Sequence, residues 1–160
     1  NKKTVQKVSN ILNNFGYSEG VKELSETART AKDAAVALRV PVGAIVKSLL
    51  FLIDNEREEI PVVALISGDK KCKTDLLPKV LNIDGNVRRP DAVDVKRITG
   101  YSIGGVSPLG LPSGIEIVID TSLSRFEKIW SAAGHTHCVF PTTFLQLKDM
   151  TDALESDEIT

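Results

Sequence analysis

Cysteine, aromatic residues and long apolar runs are all scarce in this chain of 160 residues. The two cysteines, Cys72 and Cys138, are far apart and form no CxxC pair, so neither a disulfide framework nor a zinc knuckle is indicated. No apolar run approaches the ~20 residues of a membrane-spanning helix, and no signal peptide is visible. These absences predict a protein of the reduced cytoplasm with no membrane partner.

Several motifs of catalysis and cofactor binding are also missing. The chain lacks the GxGxxG fingerprint and the P-loop, which argues against dinucleotide binding and P-loop phosphate binding, and neither cysteine has the setting of a catalytic nucleophile. His135 and His137 form an HxH pair, and on a strand both would point to one face. A zinc site needs a further ligand that the sequence does not identify, so we predict no metal and no cofactor.

Charge is nearly balanced overall, at −1, but it is unevenly distributed. An acidic tail occupies residues 149–160, and the remainder carries 20 basic against 16 acidic residues. The segment Lys70–Arg97 holds eight basic and four acidic residues, which is typical either of a phosphate-binding face or of an ordinary solvated surface. Composition alone favours the solvated surface. The candidate phosphate contacts are Lys70, Lys71, Lys73, Arg88 and Arg89.

The apolar content of 42% predicts a single folded domain spanning residues 1–160. Two nearly continuous apolar runs, 45–53 and 60–67, are typical of central strands covered on both faces. Apolar residues at helical spacing and capping residues predict four helices. Two lie over 4–15 and 91–98, one begins after Thr30, and the last begins after Thr142 or Thr143. Shorter strands are predicted at 21–24, 87–89, 115–120, 128–132 and 135–140, and the last ten residues are expected to be frayed. Because strands and helices do not alternate strictly, the pattern favours an α+β fold with a mixed sheet.

Two features stand out as chemically unusual. Lys47 lies near the start of an otherwise apolar strand, where it either reaches solvent at the strand edge or directs a cation into a pocket. The segment Gly100–Gly114 contains five glycines and two prolines in fifteen residues. It is either a set of tight turns or a surface where a ligand approaches bare main-chain N–H groups.

Four segments of the chain, in their order along it, resemble the YbaK/prolyl-tRNA synthetase-associated domain family. They are "TARTAKDAAVALRVPVGAIVKSLLF", "ISGDKK", "GYSIGGVSPLG" and "PTTFLQL". The resemblance covers most of the chain, from about Thr27 to Leu147. It implies a compact α+β domain with a curved, barrel-like mixed sheet flanked by helices. It also implies a pocket for the 3′ aminoacyl-adenosine of tRNA.

The resemblance carries over to particular residues. Lys47 matches the family's pocket lysine, and Gly104 and Gly105 belong with Pro108 to its GxxxP loop, so the lysine and the two glycines are the candidate catalytic residues. Gly134 matches a glycine-rich junction before the penultimate strand. The histidines stand where the family varies, so no role transfers to them. The candidate substrate-binding residues are Thr30, Ser107, Pro108, Gly134, His135 and His137.

The resemblance implies an aminoacyl-tRNA deacylase that removes cysteine or alanine from mischarged tRNA(Pro) in trans, as translation quality control. Its expected partner is a tRNA acceptor end carrying a mischarged amino acid, with prolyl-tRNA synthetase as a second candidate and no DNA. An aminoacyl ester is already activated, so placed donors and a water suffice without metal. Two alternatives stay open: a non-catalytic tRNA- or synthetase-binding module, and a metal-dependent hydrolase that uses His135 and His137.

Overall fold

The computed structural model of the protein describes residues 2–17, 19–25 and 30–160, with the backbone only at residue 2. Eight strands in these ranges form two sheets. The smaller sheet has the order β1-β7-β6 and the larger one β4-β2-β3-β5-β8. The strands are β1 (Lys22–Glu23), β2 (Val46–Asp54), β3 (Glu59–Ser67), β4 (Asn86–Arg88), β5 (Glu116–Asp120), β6 (Ile129–His135), β7 (Cys138–Thr142) and β8 (Leu154–Ser156).

The larger sheet is built on the two apolar runs. β2 and β3 pair antiparallel from Val46 opposite Ser67 to Asp54 opposite Glu59, and β3 then pairs in parallel with β5. The side chain of Asn55 accepts hydrogen bonds from two main-chain N–H groups of the connecting turn. Both faces of these strands are covered, which explains their nearly continuous apolar sequence. The prediction of two central strands at 45–53 and 60–67 is therefore confirmed.

The smaller sheet pairs β7 antiparallel with both β1 and β6, and a bulge shifts the register between Ala132 and His135. Between the described strands of the two sheets, pairing is limited to one parallel bridge from Ile45 to Trp130. The sheets therefore meet along one side without closing. The predicted α+β class is confirmed, but the barrel-like mixed sheet is not, because the described strands divide between two sheets and form no closed barrel.

Five α-helices in the described ranges flank the sheets: α1 (Lys2–Asn14), α2 (Ala31–Leu38), α3 (Leu77–Leu81), α4 (Ala92–Thr99) and α5 (Phe144–Thr151). The hydroxyl of Thr30 accepts from the Asp33 N–H as the predicted cap of α2, and Asp91 caps α4 in the same way. A capping box begins α5: the Thr143 hydroxyl accepts from the Gln146 main-chain N–H, and the Gln146 side chain accepts from the Thr143 main-chain N–H. Among the helices in the described ranges, none is both long and apolar enough to cross a bilayer.

The C-terminal segment is ordered, so the expectation of a frayed acidic tail is wrong. Its strand β8 pairs in parallel with β5, and the Ile159 side chain is fully buried in the core beside β3. The Lys73 N–H donates to the Ile159 carbonyl, and the Thr160 hydroxyl donates to Asp120. The acidic side chains of this docked segment are exposed, and they lie at the end of α5, in β8 and directly after it. Truncating this segment would remove part of the core and not only negative charge.

We expect Ile159→Ala to lower the free energy of unfolding by about 2–4 kcal/mol, since it removes a fully buried side chain and leaves a cavity. Denaturant unfolding measures the change. Leu145→Ala is the matched control, because Leu145 is 72% exposed and should shift the free energy by less than about 0.5 kcal/mol. Equal effects of the two substitutions would show that the tail does not dock in solution.

Candidate functional site

A cavity of about 330 Å³ lies where the two sheets meet. One wall comes from the start of β2, and the facing wall comes from β6, β7 and helix α2. Polar lining is contributed by Thr30, Lys47, Ser48, Arg89, His135 and Thr136. Apolar lining includes Ile45, Val46, Leu50, Val95, Val106 and Trp130. The cavity is thus mostly apolar, with a few convergent polar groups, as small-ligand sites usually are.

Lys47 is half-buried in this cavity, and its ammonium donates a hydrogen bond to the Lys70 carbonyl. Burial lowers the pKa of Lys47, the carboxylate of Asp69 acts in the opposite direction, and Lys71 lowers it further. The amine therefore does not simply extend into solvent at the strand edge. Its contact with the main chain orients it beside the turn that follows β3.

That turn, residues 67–71, is held from the other side by Arg125. The guanidinium donates to both oxygens of Asp69, with Nη2–Oδ1 at 2.7 Å and Nη1–Oδ2 at 3.1 Å, and Nη2 also donates to the Ser67 hydroxyl at 2.9 Å. Sequence analysis missed this pair, because 56 residues separate its members and neither has an unusual setting in the sequence. Arg125 and Asp69 fix the segment that accepts the hydrogen bond from Lys47.

The bond from Arg125 holds the pKa of Asp69 below its ordinary value. A carboxyl whose pKa is lowered by folding contributes stability above its unfolded pKa, and the contribution is lost as the pH falls through the folded value. We expect Asp69→Asn to reduce stability at pH 7 by about 1 kcal/mol or less, because the pair is partly exposed. In denaturant unfolding, the difference from wild type should shrink as the pH falls below about 4, the ordinary pKa of an aspartate. A difference independent of pH, or one matched by the exposed control Asp75→Asn, would contradict this assignment.

The glycine-rich loop contributes less main chain to the cavity than the sequence suggested. Gly104 lines the cavity in a left-handed conformation, with φ of 85°. Gly105 is buried, its N–H already donates to the Ser102 carbonyl at 2.9 Å, and a Cβ there would lie 3.1 Å from the His135 Cα. The expectation of a bare amide is therefore wrong at Gly105, whose missing side chain allows β6 to pack closely. Ser107 and Pro108 are buried behind it and, among the described residues, are not part of the lining.

The remainder of the loop is organised around Tyr101. Its ring is fully buried, and its hydroxyl donates to the Leu109 carbonyl. Gly110 has φ of 77°, and a Cβ there would lie 2.9 Å from the tyrosine hydroxyl oxygen. The ammonium of Lys7 lies 4.4 Å from the centre of the ring. Both interpretations of the loop are thus partly correct, since one glycine faces the cavity and the others serve turns and packing.

The two histidines lie at a hairpin and not along one strand as predicted. His135 ends β6 and lines the cavity, while His137 lies in the turn before β7. Their rings stack with centres 5.1 Å apart, and the His137 N–H donates to the His135 Nδ1 at 3.1 Å. That bond places the proton of a neutral His135 on Nε2. Burial lowers the pKa of His135 and the adjacent His137 lowers it further, so both favour the neutral ring.

Gly134 supports the cavity from behind. It lies at the bulge in β6 with φ of 94°, and a Cβ there would come within 3.0 Å of the Thr4 main chain. The Thr4 hydroxyl, which lies inside helix α1, donates to the Gly134 carbonyl at 2.8 Å. In the part of the chain that the structure describes, Gly134 contacts helix α1 and is not part of the cavity lining.

The five residues predicted to contact phosphates lie in three different structural environments. Lys70, Lys71 and Lys73 are exposed on the segment after β3, next to the turn that binds Lys47. Arg89 lines the cavity, with its guanidinium 5.1 Å from the Phe51 ring. Arg88 forms 2.5 Å ion pairs with carboxylates at the far end of the β2–β3 hairpin, so its charge is already compensated. The described residues contain no group of three or more potential metal ligands, the two histidines included.

Comparison with known proteins identifies the class to which this fold and site belong. The chain is 34% identical over 126 residues to proline–tRNA ligase of Lactobacillus helveticus, a match covering 76% of this chain and 21% of that enzyme. It is 26% identical to the uncharacterized protein YwhH of Bacillus subtilis, covering 91% of this chain and 90% of that protein. A crystal structure of a protein proposed to be a trans-editing enzyme for prolyl-tRNA synthetase superposes with a TM-score of 0.84 at 30% identity, covering 98% and 96% of the two chains.

The chain belongs to the aminoacyl-tRNA editing domain family, whose model matches residues 25–150. It spans about a fifth of the length of the proline–tRNA ligases it matches, and nearly the whole length of YwhH and of the superposed structure. The family resemblance drawn from the sequence motifs is therefore confirmed.

Proposed function

We propose that the protein is an aminoacyl-tRNA deacylase that acts in trans on mischarged tRNA(Pro), with a cysteinyl or alanyl ester as substrate. The observation that carries the proposal is Lys47, whose side chain lines a small, mostly apolar cavity and whose ammonium is oriented by the Lys70 carbonyl, in a chain that belongs to an editing-domain family. The relationship to proline–tRNA ligases supports tRNA(Pro) as the substrate and a cytoplasmic site of action.

The size of the cavity favours a small amino acid. At about 330 Å³ it lies near the lower end of ligand pockets, with room for a terminal ribose ester and a short side chain. The lining is apolar where that side chain would lie, at Ala34, Val95 and Val106. A thiol or a methyl group suits such a surface, whereas a charged side chain would lose its hydration without a partner.

The reaction needs donors and a positioned water. Water adds to the ester carbonyl carbon, the bond from that carbon to the ribose oxygen breaks, and the amino acid leaves while the tRNA regains its hydroxyl. Lys47 stabilises the negative charge that develops on the carbonyl oxygen. The Thr30 hydroxyl and the Nε2–H of a neutral His135 are further candidate donors of the lining.

The direct test is loss of the ester from Cys-tRNA(Pro) and Ala-tRNA(Pro) incubated with the purified protein. Hydrolysis of either above background, with Pro-tRNA(Pro) spared, supports the proposal. Absence of hydrolysis together with measurable tRNA binding would instead identify a binding module. Activity that is lost with a chelator and restored by zinc would favour a metal-dependent hydrolase built on the two histidines.

The body of the tRNA must be bound outside this small cavity, and the three exposed lysines after β3 are placed to contact phosphates. We expect the triple variant Lys70→Ala, Lys71→Ala, Lys73→Ala to weaken tRNA binding and to lower the slope of log affinity against log salt by about 2–3. Titrations at several salt concentrations measure the slope. The control is Lys79→Ala, whose amine lies 3.9 Å from Glu158. An unchanged slope in the triple variant would show that the lysines are only a solvated surface.

A further inference from the structure

The side chain of Trp130 forms part of the cavity wall and is partly exposed. Two lysines share its face of the smaller sheet. Lys22 lies opposite Val139, Val139 lies opposite Ala132, and alternation along β6 places Ala132 and Trp130 on one face. Lys128 precedes Trp130 by two residues. The face that carries these side chains continues directly into the cavity.

Both ammonium groups lie over the indole ring. The Nζ atom of Lys22 is 5.9 Å from the ring centre and that of Lys128 is 5.8 Å from it. These distances are near the ~6 Å limit of cation–π contact, so the lysines are weakly held and can be displaced. Lys128 also forms an ion pair with Glu19 at 3.2 Å, but both side chains are at least half exposed, and such pairs contribute little.

A partly exposed aromatic ring next to mobile cations is the arrangement by which proteins bind single-stranded nucleic acid without reading its sequence. The ring stacks on a base, and the cations move to the neighbouring phosphates. The predicted phosphate contacts Lys70, Lys71, Lys73, Arg88 and Arg89 lie on or beside the larger sheet, so this group is a separate contact region.

We propose that Trp130, Lys22 and Lys128 form a stacking site for the single-stranded 3′ end of the tRNA. One base lies on the indole ring, and the two lysines contact the flanking phosphates. The proposal rests on the proposed function, because the cavity beside Trp130 is then the site that accepts the terminal aminoacylated nucleotide. The acceptor strand enters over the smaller sheet.

Fluorescence tests the site directly, because Trp130 is the single tryptophan of the chain. Titration of the whole protein with a short single-stranded RNA ending in CCA should quench its emission at saturation. Inorganic polyphosphate and polyglutamate supply negative charge without bases and should quench much less. Absence of quenching by RNA would overturn the stacking site. Equal quenching by RNA, polyphosphate and polyglutamate would also overturn it and would indicate an acidic partner.

Variants separate stacking from charge, with the anisotropy of a labelled RNA as the readout. Trp130→Ala should weaken binding about tenfold or more, and Trp130→Phe should retain most of the affinity. The double variant Lys22→Ala, Lys128→Ala should lower the salt slope by about 1.4, the value for two phosphates of a single strand. The control Lys79→Ala should leave both quantities unchanged. Wild-type binding by Trp130→Ala would contradict the proposal.

The binding readout does not depend on hydrolysis, so the two proposals can fail separately. RNA binding at Trp130 without deacylation would contradict the proposed enzymatic function and support the stacking site. Deacylation without quenching would contradict the stacking site and support the enzymatic function.

Discussion

Lys47→Ala should reduce the rate of deacylation by about 30- to 1,000-fold, which corresponds to about 2–4 kcal/mol of lost transition-state stabilisation. The substitution removes the ammonium that the Lys70 carbonyl orients in the cavity. The fold should persist, since Lys47 is only half-buried and Ala is compatible with a strand. Single-turnover hydrolysis of mischarged tRNA measures the effect.

The loss should lie in the chemical step and not in tRNA binding, because the lysine contacts the reacting ester in the proposed mechanism. The control Lys32→Ala removes the same charge from the exposed surface of α2 and should leave the rate within about twofold of wild type. Near-normal deacylation by a folded Lys47→Ala protein would refute the role of this residue.

Gly105→Val should reduce stability and activity together. Its Cβ would lie 3.1–3.2 Å from the main chain of His135, and the valine methyl groups would approach closer still. Overpacking of this kind costs about 1–3 kcal/mol and would displace the end of β6, which carries a cavity residue. Thermal unfolding and deacylation measured on the same preparation test both parts.

The matched control for this substitution is Gly20→Val, since Gly20 is exposed and has no described atom within 4 Å of its Cβ position. It should behave nearly as wild type. If Gly105→Val lost activity at unchanged melting temperature, Gly105 would face the ligand, as the loop sequence first suggested. The same result would contradict the packing against His135.

Local patterns were sufficient for most of the helices and strands. The apolar runs at 45–53 and 60–67 became the central hairpin, because a strand covered on both faces needs apolar residues at every position. Thr30 and Asp91 cap their helices, because a capping hydrogen bond involves only residues three apart in the sequence. The Lys47 position was identified for a similar reason, since a charge in an apolar run is visible without any partner.

The sequence by itself thus determined the α+β class, the family and the caps of α2, α4 and α5. It also identified two residues of the family's motifs that line the cavity, Lys47 and Gly104. Only the tertiary structure decided the separation into two sheets, the docking of Ile159, the packing role of Gly105 and the ion pairs of Arg125 and Arg88. The physical reason is the separation along the chain between the residues that interact. Periodicity and capping operate over a few residues, whereas these contacts join groups that lie far apart in the chain and meet only when the sheets pack.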